Sequence, residues 1–109
     1  MGTAIAGGGP DTVPVSAPPP IGPYIITPHA RWEIERRGLD IDVVNRTVTT
    51  PEQQLTVTPG RVVAQSRYSL GTPPRQYLVR VVVDTDRFPA EVVTAYRTSK
   101  VAKYWRAGP

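Results

Sequence analysis

This sequence predicts an α+β fold, with two N-terminal helices packed on a small, mainly antiparallel sheet of about four strands. Helix signals crowd between Thr27 and Thr50, and strand signals fill Gln53 to Thr98. Between them the apolar spacing changes from helical to alternating. Helices in one run and strands in another favour segregated layers over repeated β-α units.

Residues 1–23, MGTAIAGGGPDTVPVSAPPPIGP, are rich in glycine and proline and almost uncharged. Proline removes backbone donors and glycine dilutes apolar content, so this stretch reads as a disordered leader or linker before a domain at 24–109. Tyr24-Ile25-Ile26 is a short apolar strand. Thr27 suits a helix N-cap and Pro28 the first helical position, where its missing N–H costs nothing. The helix is predicted to run to Arg37, with Gly38 supplying a left-handed cap. Asp40 caps a second helix over Ile41, Val43 and Val44, which ends before Thr49-Thr50-Pro51.

Beyond Pro51 the strands follow. Gln53 to Thr58 and Arg61 to Leu70 flank the turn pair Pro59-Gly60 and form a hairpin. In its second arm Val62, Ala64, Tyr68 and Leu70 share one face, while Arg61, Gln65 and Arg67 share the other. After a turn at Gly71 to Pro74, Gln76 to Asp84 alternates Tyr77, Val79, Val81 and Val83 against Leu78, Arg80 and Val82. Both sets are largely apolar, so this strand is central and Arg80 sits among covered neighbours. Asp84 to Arg87 turns the chain into a last strand, Glu91 to Thr98, followed by a short basic aromatic tail, Lys103-Tyr104-Trp105.

Composition narrows the chemistry. Thirteen Lys and Arg against nine Asp and Glu give a formal net charge of +4, which favours nucleic acid, an acidic protein or an anionic surface as partner. With no cysteine and one histidine, disulfides, thiolate sites and a Cys nucleophile are excluded and a metal site is not expected. Gly7 to Gly9 precede no strand-to-helix pattern and do not form a nucleotide loop. Ser66, Ser69 and Ser99 lack a nucleophile setting, and no apolar run reaches membrane-spanning length. A secretion signal is also absent, so a soluble chain is expected.

Two constellations remain. On the first helix, at about 100° per residue, His29 and Arg36 lie about 20° apart with Trp32 within about 60°, a strip able to hold a phosphate and stack a base. The competing interpretation is structural: Trp32 and Leu39 form an apolar stripe and Arg36 packs over the indole. The second constellation is Arg67, Arg80 and Arg97 on strands, with Lys100, Lys103 and Tyr104 beyond them. Guanidinium groups on a rigid sheet suit a phosphodiester clamp, and Tyr or His can relay protons. Surface arginines also merely solubilise small domains. Arg80 differs, because a charge in a central strand requires a partner or a role; Asp84 and Asp86 are either partial partners for it or simply turn formers.

The stretches His29-Ala30-Arg31 through Glu35-Arg36-Arg37-Gly38-Leu39, Gly60-Arg61, Leu78 through Asp84, and Val92-Val93-Thr94-Ala95-Tyr96 with Lys103-Tyr104 resemble a widespread family of small uncharacterised bacterial domains. That family is related to the RelE and BrnT toxins, within the metal-independent ribonucleases that include barnase-like and colicin-type nucleases. The resemblance implies a RelE-like α+β fold and RNA cleavage by 2'-hydroxyl attack through a 2',3'-cyclic phosphate, without cofactor. It places the family's opening His on His29, its helix-end arginine on Arg37, its strand arginine on Arg80, and its terminal Thr and Tyr on Thr94 and Tyr96. Arg67 falls on a strand where relatives often carry a basic group. The leader and the Pro73-Pro74 insertion depart from the pattern. The leader resembles the joint before C-terminal toxin domains of large secreted polymorphic proteins.

The expected function is therefore an endoribonuclease toxin acting in the cytoplasm, free-standing or delivered within a larger secreted protein, with RNA and an acidic antitoxin or immunity protein as partners and no membrane. His29, Arg67, Arg80 and Tyr104 are the expected catalytic residues. Trp32, Arg36, Arg37, Thr94, Tyr96, Arg97, Lys100 and Lys103 are expected to bind substrate, and no metal or cofactor is called for. The alternative is a noncatalytic basic module that binds nucleic acid or an acidic protein.

Overall fold

In a computed structural model describing residues 18–107, the elements run β1 (Tyr24–Ile26), α1 (Pro28–Arg36), α2 (Ile41–Thr49), β2 (Gln53–Thr58), β3 (Arg61–Leu70), β4 (Arg75–Asp84), β5 (Ala90–Thr98) and α3 (Val101–Tyr104). Local chemistry sets most of these boundaries. The Thr27 hydroxyl accepts from the Ala30 N–H at 3.1 Å and donates to the Val92 carbonyl at 3.1 Å. One side chain thus caps α1 and ties it to β5. At the other end Gly38 adopts φ 65°, and the N–H groups of Gly38 and Leu39 return to the carbonyls of Glu35 and Ile34. This paired arrangement satisfies the last carbonyls of the helix and sets Leu39 beside Ile34 in the core. Asp40 caps α2 by accepting from the Asp42 N–H at 2.8 Å.

The sheet has five strands in the order β1-β5-β4-β3-β2. Strands β2 to β5 form the expected antiparallel meander. The addition is β1, which pairs in parallel with β5 through Tyr24, Ile25 and Ile26 against Ala90, Glu91 and Val92. The sheet is therefore mixed and five-stranded rather than four-stranded. A three-residue apolar strand announces itself in sequence but not its partner, because the pairing closes only after β5 is in place. The tail is likewise more ordered than expected, forming α3.

Alternation along β4 organises the interior. Val79, Val81 and Val83 are fully buried and join Val62, Val92 and Ala95 of the sheet with Ala30 and Ile34 of α1 and Val43, Val44 and Val48 of α2. Burying each of these valine and isoleucine side chains contributes roughly 1.5–3 kcal/mol. Leu78, on the other face of β4, is also fully buried, so the strand is covered on both sides as its sequence predicts. The turn glycines follow the same logic. Gly60 takes φ 84°, and a Cβ there would lie 2.9 Å from that of Asp86.

The end of the expected leader touches this body: Ile21 packs against the core, and the Pro23 carbonyl accepts from the Ala90 N–H at 3.0 Å. The expectation for residues 1–17 lies outside the described residues. Among the described residues no helix is long and apolar enough to cross a membrane.

Candidate functional site

Side chains on β4 that point away from α1 and α2 include Arg80, and strand register places a neighbour on each side of it. Gln53 of β2 stands opposite Gln65 of β3, Gln65 opposite Arg80, and Arg80 opposite Tyr96 of β5. These four side chains join into one hydrogen-bonded row across four strands. Arg80 Nε donates to Gln65 Oε1 at 2.9 Å and Arg80 Nη1 to the Tyr96 hydroxyl at 2.6 Å. Gln65, itself fully buried, donates from Nε2 to Gln53 Oε1 at 2.8 Å.

The segment containing α3 lies over this row. Its Tyr104 ring sits 4.3 Å from the Arg80 guanidinium carbon, and Lys103 Nζ is 5.3 Å from the same ring. The Tyr104 carbonyl accepts from Gln65 Nε2 at 3.2 Å. Two residues along β3 from Gln65, Arg67 stacks on Trp105 at 3.9 Å. The structure thus brings together Arg67, Arg80, Tyr96, Lys103 and Tyr104 from the expected set.

Charge pairing separates the two arginines. Glu52 accepts from Arg67 Nε and Nη2 at 3.1 and 3.0 Å, and from its backbone N–H at 2.8 Å. These hydrogen bonds hold the Glu52 carboxyl below its usual range and push the Arg67 guanidinium above its own. Arg80, by contrast, has no carboxylate within ion-pairing distance among the described residues. The expectation that Asp84 or Asp86 would partner it is corrected: Asp84, though on the same face, lies four residues along the strand, about 13 Å away at strand rise. Asp84 instead receives Arg61 Nε at 2.6 Å and Nη2 at 3.0 Å from the register position directly opposite. Asp86 pairs with Arg87 at 3.0 Å. The neutral partners Gln65 and Tyr96 therefore hold Arg80 without cancelling its charge.

Other expected residues lie elsewhere. His29, Trp32 and Arg36 do form the anticipated strip on α1, with the imidazole 6.1 Å from the indole and the Arg36 guanidinium carbon 4.9 Å from it. Trp32 is 56% exposed, so it does not belong to an apolar stripe with buried Leu39. Because α1 covers the valine face, the sheet stands between His29 and Arg80. Arg37 and Thr94 hold α1 to β5: Arg37 Nη1 donates to the Ala95 carbonyl at 2.7 Å and to Thr94 Oγ1 at 3.1 Å. Thr94 in turn donates to Glu33 Oε1 at 2.6 Å. That hydrogen bond, followed by the charges of Arg37, His29 and Arg36, holds the Glu33 carboxyl below its usual range. Arg97 shares the side of Val79, its register partner, and stacks on Tyr77 at 5.0 Å. Lys100 is exposed at the start of α3.

Three residues of this face escaped the sequence reading as site components: Gln53, Gln65 and Trp105. Alternation in β3 already set Gln65 on the arginine face. Its position opposite Gln53 depends on a register shift between Thr56 and Thr58, which no turn residue announces. Comparisons with protein-family models, curated proteins and solved structures find no match for this chain.

Proposed function

We propose that the domain is a metal-independent endoribonuclease working on the face of the sheet that carries Arg80, in a toxin of the kind held in check by an acidic antitoxin or immunity protein. The observation that carries this reading is the uncompensated Arg80 charge, fixed on a central strand by two neutral side chains with phenol groups on two sides. A cation held this way meets an anion without first losing a carboxylate partner. It stabilises the non-bridging oxygens as a 2'-hydroxyl adds to phosphorus and the bond to the 5'-oxygen breaks. Because the Tyr96 hydroxyl accepts from Arg80, its own proton is directed elsewhere. Tyr96 then gives that proton to the leaving 5'-oxygen, while Tyr104, acting as a phenolate, takes the 2'-hydroxyl proton; proton exchange between the two tyrosines through water restores the starting forms. Arg67, already paired with Glu52, frames the site through Trp105, and Lys103 adds positive potential. His29 has no part in this arrangement.

The test is incubation of the full chain with total RNA in EDTA. Cleavage leaving 2',3'-cyclic phosphate ends is expected, reduced about 100-fold or more in Arg80→Ala and retained in His29→Ala. Cleavage indifferent to Arg80→Ala overturns the reading. As a toxin acting on cytoplasmic RNA, the wild-type chain should arrest growth when expressed and Arg80→Ala should not.

A second reading, a noncatalytic basic module binding nucleic acid or an acidic protein, is favoured by one observation: the single histidine stands across the sheet from Arg80. RNA retained by the protein but never cut would select it.

A further inference from the structure

From the contacts that seat the C-terminal segment, we infer that Gln53 and Gln65 are positioning residues, whose amides grip the backbone of residues 104–106 and thereby set Tyr104 over Arg80 and Trp105 over Arg67. This rests on the reading that the Arg80 face is where RNA is processed. Helix α3 is only four residues long and contains no buried residue, so apolar packing does not by itself fix where Tyr104 lies. Directed polar contacts fill that role. Gln53 Nε2 donates to the Arg106 carbonyl at 2.6 Å, and Gln53 Oε1 accepts from the Arg106 N–H at 3.1 Å. A primary amide carries the donor and acceptor of a peptide unit, so Gln53 at the sheet edge grips Arg106 as a neighbouring strand would.

Gln65 makes the second attachment, at the Tyr104 carbonyl. Both amides read the main chain, and the side chains between those points emerge above the arginines. The Gln65 amide orientation is determined as well. Its Oε1 accepts from the Arg80 Nε–H while its Nε2 donates to Gln53 and Tyr104. The same glutamine therefore aims the guanidinium and places the ring stacked on it. Gln53 is held in register by that contact, so each link of the row constrains the next.

The experiment compares the full chain with Gln53→Leu by NMR and by RNA cleavage. Protons over the face of an aromatic ring resonate upfield, so the Arg80 side-chain signals report whether Tyr104 is in place. In Gln53→Leu these signals should move downfield while Val81 and Ala95 signals, deep in the core, stay unchanged. Cleavage should lose at least about tenfold in kcat with KM changed by less than about twofold. Gln53→Glu, which keeps the size but sets a carboxylate oxygen against the Arg106 carbonyl, gives the same readout if the leucine variant does not fold. Unmoved Arg80 signals overturn the inference, and so does a displaced ring with kcat unaltered. If the wild-type chain cuts no RNA, the ribonuclease reading fails on its own and the Arg80 signals alone decide whether the glutamines seat Tyr104.

Discussion

Arg80 and Asp84 show how two charged groups on one strand face, set four residues apart, take opposite electrostatic roles. Asp84 faces Arg61 directly across the ladder and Arg87 also approaches it, at 3.8 Å. These cations, the Arg61 hydrogen bond first, hold its carboxyl below the ordinary range. A carboxyl depressed in the folded state stabilises the protein above its unfolded pKa of about 3.9 and loses that contribution as pH falls through the folded value. Asp84→Asn should therefore cost about 1–2 kcal/mol at neutral pH, the lower part of the range reflecting the half-exposed Arg61. Urea unfolding at several pH values checks this, and the gap from wild type should close in acid. Residue chemistry alone suggested that Arg80 needed a partner or a role. It did not reveal that the partners are Gln65 and Tyr96, because those contacts depend on the registers of three strands.

Helix caps and turns were the most legible elements, since their requirements are local. Thr27, Pro28, Gly38, Asp40 and the Pro59-Gly60 pair all perform the tasks their identities suggest. Removing the Thr27 cap should cost about 1 kcal/mol in Thr27→Ala, read from the urea midpoint. The two glycines should differ in a measurable way. Both have positive φ, but a Cβ at Gly38 meets open space whereas one at Gly60 meets Asp86. Gly38→Ala should cost about 1 kcal/mol and Gly60→Ala distinctly more, within roughly 1–3 kcal/mol. The pairing of β1 and the seating of α3 were not legible. Each is a short segment whose place is decided by distant groups: Ala90 to Val92 of β5 for β1, and the Gln53 amide, bound to the Arg106 backbone, for the segment that carries α3.

At the scale of the molecule, the two faces of β4 divide labour, and sequence foretold the division but not its orientation. Both faces are apolar enough to accept helices, so nothing in the strand itself placed His29 and Arg80 on opposite sides. Ile34→Ala tests the layer that decides it. Loss of this fully buried side chain should cost roughly 2–5 kcal/mol and loosen α1 from β5. Under native conditions the Arg80 and Tyr104 contacts, across the sheet, should persist in that variant by NMR.

The position of Arg80 also bears on how the chain finds its shape. A slip of one residue in β4 would turn the guanidinium inward among Val62, Val92 and Ile34, stranding an unpaired cation in hydrocarbon, and would expose the valines in exchange. The misaligned pairing is therefore costly, so the group we assign to chemistry also specifies the register of the sheet.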